Sequence, residues 1–377
     1  MNSLPRLTPT PPGAPEASPR NSWRARGQAA LVTLRRVAIP IVLALLVGGI
    51  VLLATGNHPL EIYGMLVSEA FGSVDRIDAT LAAATPLLFT ALAAAFSFRA
   101  GIFSVGVEGS FVAGGLTGAV IGSQMGAFPP VVAVGVALLG ACVAGLMVAL
   151  VPALLRARWA VDEVVTTLMF NFIVAGLAAW LVQAFFLAKG QANSATAFVA
   201  SSAELPALNP PNQANVGLII AIVLVILYAI WSRRSTFGFE LNLVGTAPRF
   251  AAAQGLRVRP VIFVALIGAG VIRGLGGGVH ALGLVHRYSE GFSAGFGFTG
   301  IAIALLARFN PIGIVVGAIL FGALNAAGST VQLFVNIPIQ LIDVMQGTVM
   351  IFALAQIVVP RFLRFRSARV QREVVSS

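Results

Sequence analysis

Thr246-Ala247-Pro248-Arg249-Phe250-Ala251-Ala252-Ala253-Gln254-Gly255-Leu256 lies within a polar, arginine-bearing segment, 232–260, and the apolar runs on both sides of that segment are each long enough to cross a bilayer. A membrane protein that keeps so long a segment between two spans uses it to touch something soluble. Proline in the first turn, alanines through the middle and glycine at the stop predict a short helix over 247–254. At ~1.5 Å per residue it is a rod of about 12 Å, suited to a partner's groove.

Outward from this segment the chain is 58% hydrophobic and only 10% charged, against roughly 25% charged in globular domains. The fold class is therefore an all-α polytopic membrane protein. Hydropathy places about ten spans, at 37–55, 81–98, 102–122, 129–154, 164–187, 215–231, 261–282, 294–307, 312–333 and 339–359. Before them, residues 1–36 read as a disordered cytosolic leader rich in Pro and Arg. The membrane domain is 37–360, and 361–377 is a basic cytosolic tail. With both termini and the 232–260 loop inside, 20 of the 24 basic residues fall on one side, while Glu61, Glu69, Asp75, Asp78, Glu204 and Glu290 collect on the other. The net charge of +11 is thus membrane topology facing lipid and cytosol, and no nucleic-acid partner is expected.

Small residues predict how the spans pack. Gly114, Gly118 and Gly122 recur every four residues, as do Gly270, Gly274 and Gly278, which lets backbones approach closely. Five spans before the 189–214 outer segment and five after it carry opposite orientations, the arrangement of 5+5 inverted repeats. Several chemical motifs fall away. Gly295, Gly297 and Gly300 match G-x-G-x-x-G, but a dinucleotide site needs a preceding strand and a soluble βαβ unit, so they read as glycines of a bent membrane segment. The one lysine, Lys189, sits in no P-loop, so ATP hydrolysis is not expected of this chain. The one cysteine, Cys142, and the wide spacing of His58, His280 and His286 argue against disulfide and metal. No cofactor is expected.

Charges inside spans carry more weight, since each costs at least ~2.5 kcal/mol on insertion scales. Counting from the nearest cytosolic arginine, Glu108 lies ~14 Å deep, Arg273 ~21 Å and Asp343 ~27 Å. Arg273 and Asp343 match in depth as an intramembrane ion pair, structural or part of a pathway. Glu108, in Gly106-Val107-Glu108-Gly109, stands where glycines can open a helix and let backbone groups share the site, again in a structural or a transport role. Phe170, Asn171 and Phe172 in the fifth span and Phe296 and Phe298 in the glycine-rich segment are candidates for stacking on a base or sugar, with the Asn171 amide reading an edge. A helix turns ~100° per residue, so Asn171 and at most one of its neighbours can face one pocket.

The segments 98–109, 163–172, 244–256 and 297–313 together resemble, in order, four blocks of the permease subunits of bacterial ATP-binding cassette importers for nucleosides and simple sugars. These carry Phe98-Arg99-Ala100-Gly101 with Glu108, Glu163 through Phe172, Val244-Gly245-Thr246-Ala247-Pro248 through Gly255, and Gly297 through Leu306 with Asn310-Pro311. Ser104, Ser110 and Thr299 depart from the family's usual Asn, Gln and Asp. The resemblance implies a transport subunit in the bacterial inner membrane, with no ATPase site of its own. It implies a coupling helix whose Gly245, Thr246, Pro248, Ala252, Ala253 and Gly255 engage a cytosolic ABC ATPase. It also implies a second, homologous permease and an extracytoplasmic solute-binding lipoprotein. A nucleoside is the expected substrate and a pentose or hexose the alternative. Branched-chain amino acid transport is more distant, and a proton-coupled secondary transporter is a rival class that lacks titratable groups along a path. A membrane enzyme lacks a catalytic constellation.

Overall fold

The computed structural model describes residues 42–53 except 44 and 51, residues 58–188, 190 and 194–334, and residues 344, 346–348 and 351. Those segments are helical wherever the sequence is apolar and continuous. The helices named here are α1 Pro59–Phe71, α2 Val74–Arg99, α3 Val107–Gln124, α4 Pro130–Trp159, α5 Glu163–Leu181, α6 Val216–Arg234, α7 Thr236–Thr246, α8 Pro248–Ala253, α9 Val258–His280, α10 Phe296–Leu306 and α11 Pro311–Phe334. Single π-helical turns extend α5 over Val182–Phe186 and α9 over Ala281–Val285. Among the described residues the only β pairing is two isolated bridges, Ala195 with Ser289 and Ala207 with Asn215.

Six of the described helices are long and apolar enough to cross a membrane: Val74–Arg99, Pro130–Trp159, Glu163–Phe186, Val216–Arg234, Val258–Val285 and Pro311–Gln332. Two expected spans become shorter pieces. The third begins only at Val107, because 101–106 is not helical, and the eighth is the 11-residue α10, ~16 Å long and about half of a ~30 Å hydrocarbon core. Of the first expected span, 42–53 except 44 and 51 is described and is helical; the last lies mostly outside the described residues, and the leader and tail wholly so. Helix α1 lies outside the expected spans; it has Ile62, Leu66 and Ala70 on a single face, packed against Ala323, Ala327 and Val331 of α11.

Helix α2 is the centre. It is buried around most of its circumference from Ala82 to Phe98, and α9, α10 and α11 pack on it, as expected of a helix apolar on all sides. Ser73 caps its start by accepting from Arg76 N–H at 3.3 Å. By contrast α4, α5 and α6 leave large apolar side chains on their outer faces, among them Leu139, Met147, Ile173, Trp180 and Ile226.

The two glycine stripes face each other. A Cβ added to Gly114 would lie 2.5 Å from Gly274 Cα, and one on Gly118 would lie 3.1 Å from Gly278 Cα. Gly145 of α4 joins them, its added Cβ 2.7 Å from Gly274 Cα. Three backbones thus meet at Gly274 with no room for a methyl group. Gly274→Leu should lower the thermal midpoint in detergent by the equivalent of about 3 kcal/mol or prevent recovery of monodisperse protein. Gly176→Leu, where an added Cβ meets nothing within 4 Å, should stay within about 0.5 kcal/mol; fluorescence-detected size exclusion after heating reads both.

Candidate functional site

Two breaks in the helical framework build the site. The first is the linker after α2. Gly101 adopts φ 74°, which turns the chain away from the helix axis, and α3 restarts at Val107 with Glu108 in its first turn. Backbone groups freed in an apolar setting need partners, and α5 supplies them. Thr167 Oγ1 accepts from Val105 N–H at 3.0 Å. Asn171 Nδ2 donates to Val105 O at 2.9 Å while its Oδ1 accepts from Gly109 N–H at 2.9 Å. These bonds fix where Glu108 points.

The second break precedes α10. Gly295 adopts φ 78° and the chain enters a helix whose first N–H groups have no intrahelical acceptor. The Glu108 carboxylate takes that role. Gly297 N–H donates to its Oε2 at 2.8 Å and the Ser293 hydroxyl donates to its Oε1. A carboxylate at a helix N-terminus also gains from the helix dipole, by about 0.3–1 kcal/mol at exposed sites and more where buried. Gly297 is glycine because a Cβ there would lie 2.7 Å from Glu108 N. The G-x-G-x-x-G look-alike is therefore a packing signature, as a bent membrane segment requires.

Beside this junction is a cavity of about 390 Å³, within the range of small-molecule sites. Phe296 lines a separate cleft, but Glu108, Asn171, Phe172 and Phe298 all line this one, so four of the six candidate residues come together. Phe170 does not; it turns to a much smaller cleft shared with Ser104 and Arg273. Asn171 lines the cavity, but both ends of its amide are occupied by the 105–109 backbone, which makes it a holder of Glu108 before it is a reader of ligand. The sequence reading missed Tyr288, Glu290, Phe292 and Ser293, which complete the wall. They belong to an irregular outer segment pinned by Thr196, which accepts from Tyr288 N–H at 3.0 Å and donates its own N–H to Tyr288 O at 2.9 Å. The polar residues between 286 and 295, interrupting two apolar runs, were the available signal. The described lining thus combines two carboxyl side chains and several aromatic faces with no cationic side chain.

Arg273 is buried to 2% exposure in α9 and donates from both terminal nitrogens to Ser104 Oγ at 3.3 Å. Asp343, its expected ion-pair partner, lies outside the described residues. The 232–260 segment departs from the expected single rod over 247–254. Its helix is the six-residue α8, and a second helix, α7, precedes it after a bend at Ala247. Ala251 alone of α8 is buried, against Leu241, Val244 and Val261. Pro248, Ala252, Ala253 and Gly255 are exposed, as is Phe250 at 55%. Gly255 ends the turn with φ 82° and Thr246 caps α7 internally through Asn242 O at 2.8 Å.

The model of the family described as "Branched-chain amino acid transport system / permease component" matches residues 76–354. The chain belongs to this permease family. It is 29% identical to a nucleoside ABC transporter permease protein of Lactococcus lactis subsp. cremoris, over 86% of this chain and 92% of that one. It is 31% identical to a glucose ABC transporter permease protein of Haloferax volcanii over 88% and 87%. It is also 28% identical to a guanosine ABC transporter permease protein of Bacillus subtilis over 83% and 91%. In this permease the matched region takes in α2 through α11, and with them both chain breaks, the cavity and α8. Glu108→Gln keeps the size of the side chain and both hydrogen bonds, accepting from Gly297 N–H and donating its NH₂ to the Ser293 hydroxyl oxygen, but removes the carboxyl group from the start of α10. Uptake per folded complex should fall by at least about tenfold, while detergent-solubilised yield stays near that of the parent; scintillation uptake normalised to quantitative blotting checks it.

Proposed function

We propose that this permease is the membrane subunit of an ABC importer and that the cavity beside Glu108 is part of the path of a nucleoside. The observation that carries this reading is the convergence of a carboxylate and three aromatic rings, Phe172, Phe298 and Tyr288, in one cavity. An aromatic ring offers a face to a base, and carboxylate oxygens accept from ring N–H or ribose hydroxyl groups. Relatives named for nucleosides and guanosine support the same choice. A hexose is the second reading, favoured by the glucose permease relative at 31% identity.

The remaining parts of the proposal follow from charge and geometry. The arginine distribution supports cytosolic termini, a bacterial inner-membrane location and about ten spans, with 5+5 inverted repeats as the underlying plan. Exposed α8 with Phe250 at its surface suits a groove on a cytosolic ABC ATPase, contacted through Gly245, Thr246, Pro248, Ala252, Ala253 and Gly255. The apolar outer faces of α4, α5 and α6 leave area for lipid and for a second, homologous permease. An extracytoplasmic solute-binding lipoprotein would deliver substrate on the side of Glu290. Nucleotide-driven closure of the ATPase would move α8 and rock the helices to open the cavity inward. Covalent chemistry is left to the partner.

Competition of labelled nucleoside uptake in cells expressing the complete system tests the substrate. Unlabelled nucleosides should suppress uptake and free ribose, glucose or galactose should not; the reverse pattern assigns the sugar. Phe250→Asp should leave the permease inserted and folded yet reduce substrate-stimulated ATP hydrolysis of the assembled complex by about tenfold or more, as expected for losing an exposed aromatic anchor.

A further inference from the structure

The linker between α2 and α3 is gripped at two ends by different parts of the protein. At the cytosolic end Gly101 lies against Gly245 of α7. A Cβ on Gly245 would be 2.7 Å from Gly101 N, and one on Gly101 would be 2.9 Å from Gly245 Cα. Ala100 and Ile102 are buried in the same apolar cluster as Leu241, Val244 and Ala251, the residues that seat α7 and α8. No slack is left there to absorb a shift of α8. At the membrane end, Val105 is bonded on both sides by Thr167 and Asn171, and Ser104 by Arg273. Three residues beyond Val105 stands Glu108, whose carboxylate holds the start of α10 and faces the cavity.

We infer that 100–106 is a strut that carries displacement of α7 and α8 to the cavity, with Thr167 the positioning residue at its membrane end. This rests on the reading of α8 as the surface on which an ATPase acts. Thr167 is 3% exposed. Its hydroxyl donates to Glu163 O at 2.6 Å while accepting from Val105 N–H. Its methyl side abuts the linker, since a Cβ on Gly106 would lie 3.0 Å from Thr167 Cβ. Glu163 in turn pairs with Arg156 at the end of α4 at 3.1 Å. The strut is thus tied to the α4–α5 corner, a fixed point against which it can pivot. A segment bonded at its far end transmits a push, whereas one free at that end buckles.

Thr167→Val keeps shape and removes the acceptor. In the complete transporter in proteoliposomes, substrate-stimulated ATP hydrolysis should drop by about tenfold with basal hydrolysis unchanged, and Thr167→Ser should restore it to within about twofold. A second measurement places Ala175→Cys on the cavity wall in a Cys142→Ala background. Its alkylation rate should differ between nucleotide-free and vanadate-trapped complexes when Thr167 is present, and become insensitive to trapping in Thr167→Val. Normal stimulation in Thr167→Val, no rescue by serine, or trapping sensitivity that survives the valine would each overturn the strut. If the parent chain assembles no ATP-hydrolysing complex, the importer reading falls and the strut falls with it.

Discussion

A backbone that leaves the helix inside a bilayer must find its hydrogen-bond partners in the protein, and this permease meets that demand with a few side chains that also build its cavity. Thr167 and Asn171 satisfy the linker before α3. Glu108 satisfies the start of α10. Thr196 satisfies the segment that carries Tyr288 and Phe292. Remove these bonds and both breaks would have to close into continuous helix, which would erase the concave surface between α3, α5 and α10. The polar groups of the core are therefore structural and functional at once. They hold irregular backbone in place, and irregular backbone is what makes room for a solute.

The glycine contacts supply the rigid part of the same design. At Gly114, Gly145 and Gly274 the backbones of α3, α4 and α9 touch, and lipid offers no hydrophobic drive that would hold looser helices together. Close approach on this scale leaves little freedom to slide. Motion is left to the elements joined by fewer contacts: α8, seated through Ala251, and the outer segment between α9 and α10. On the importer reading proposed above, these are the elements that an alternating-access cycle would move.

Electrostatics divide the molecule in a related way. Arg273 is buried against Ser104 near the linker, while the cavity beside it carries Glu108 and Glu290. On the nucleoside reading proposed above, a wall with two carboxyl groups suits a neutral solute rich in N–H and O–H donors, and the Asn171 amide, committed to backbone, reads no base edge.

Much of this was legible in the residues themselves. Apolar run lengths picked out the six described helices long enough to cross a membrane, because only a helix satisfies its own backbone there, but they also counted the runs that the structure shortens to α3 and α10. The Gly114 and Gly274 stripes announced close packing, and glycines around Glu108 announced a broken helix. Pro248 and Gly255 marked a short helix, although its extent shrank to 248–253 and α7, Thr236–Thr246, was not expected within the polar segment 232–260. What local pattern could not supply was partnership. That Glu108 reaches across 189 positions to Gly297, that Asn171 spends its amide on Val105 and Gly109, and that Phe172 faces the cavity while Phe170 does not, are consequences of how helices are rotated and staggered against one another. Rotation and stagger are set by side-chain interdigitation between distant segments. Run length and periodicity within one segment fix which residues cross the membrane; only the packed tertiary structure decides which of them meet.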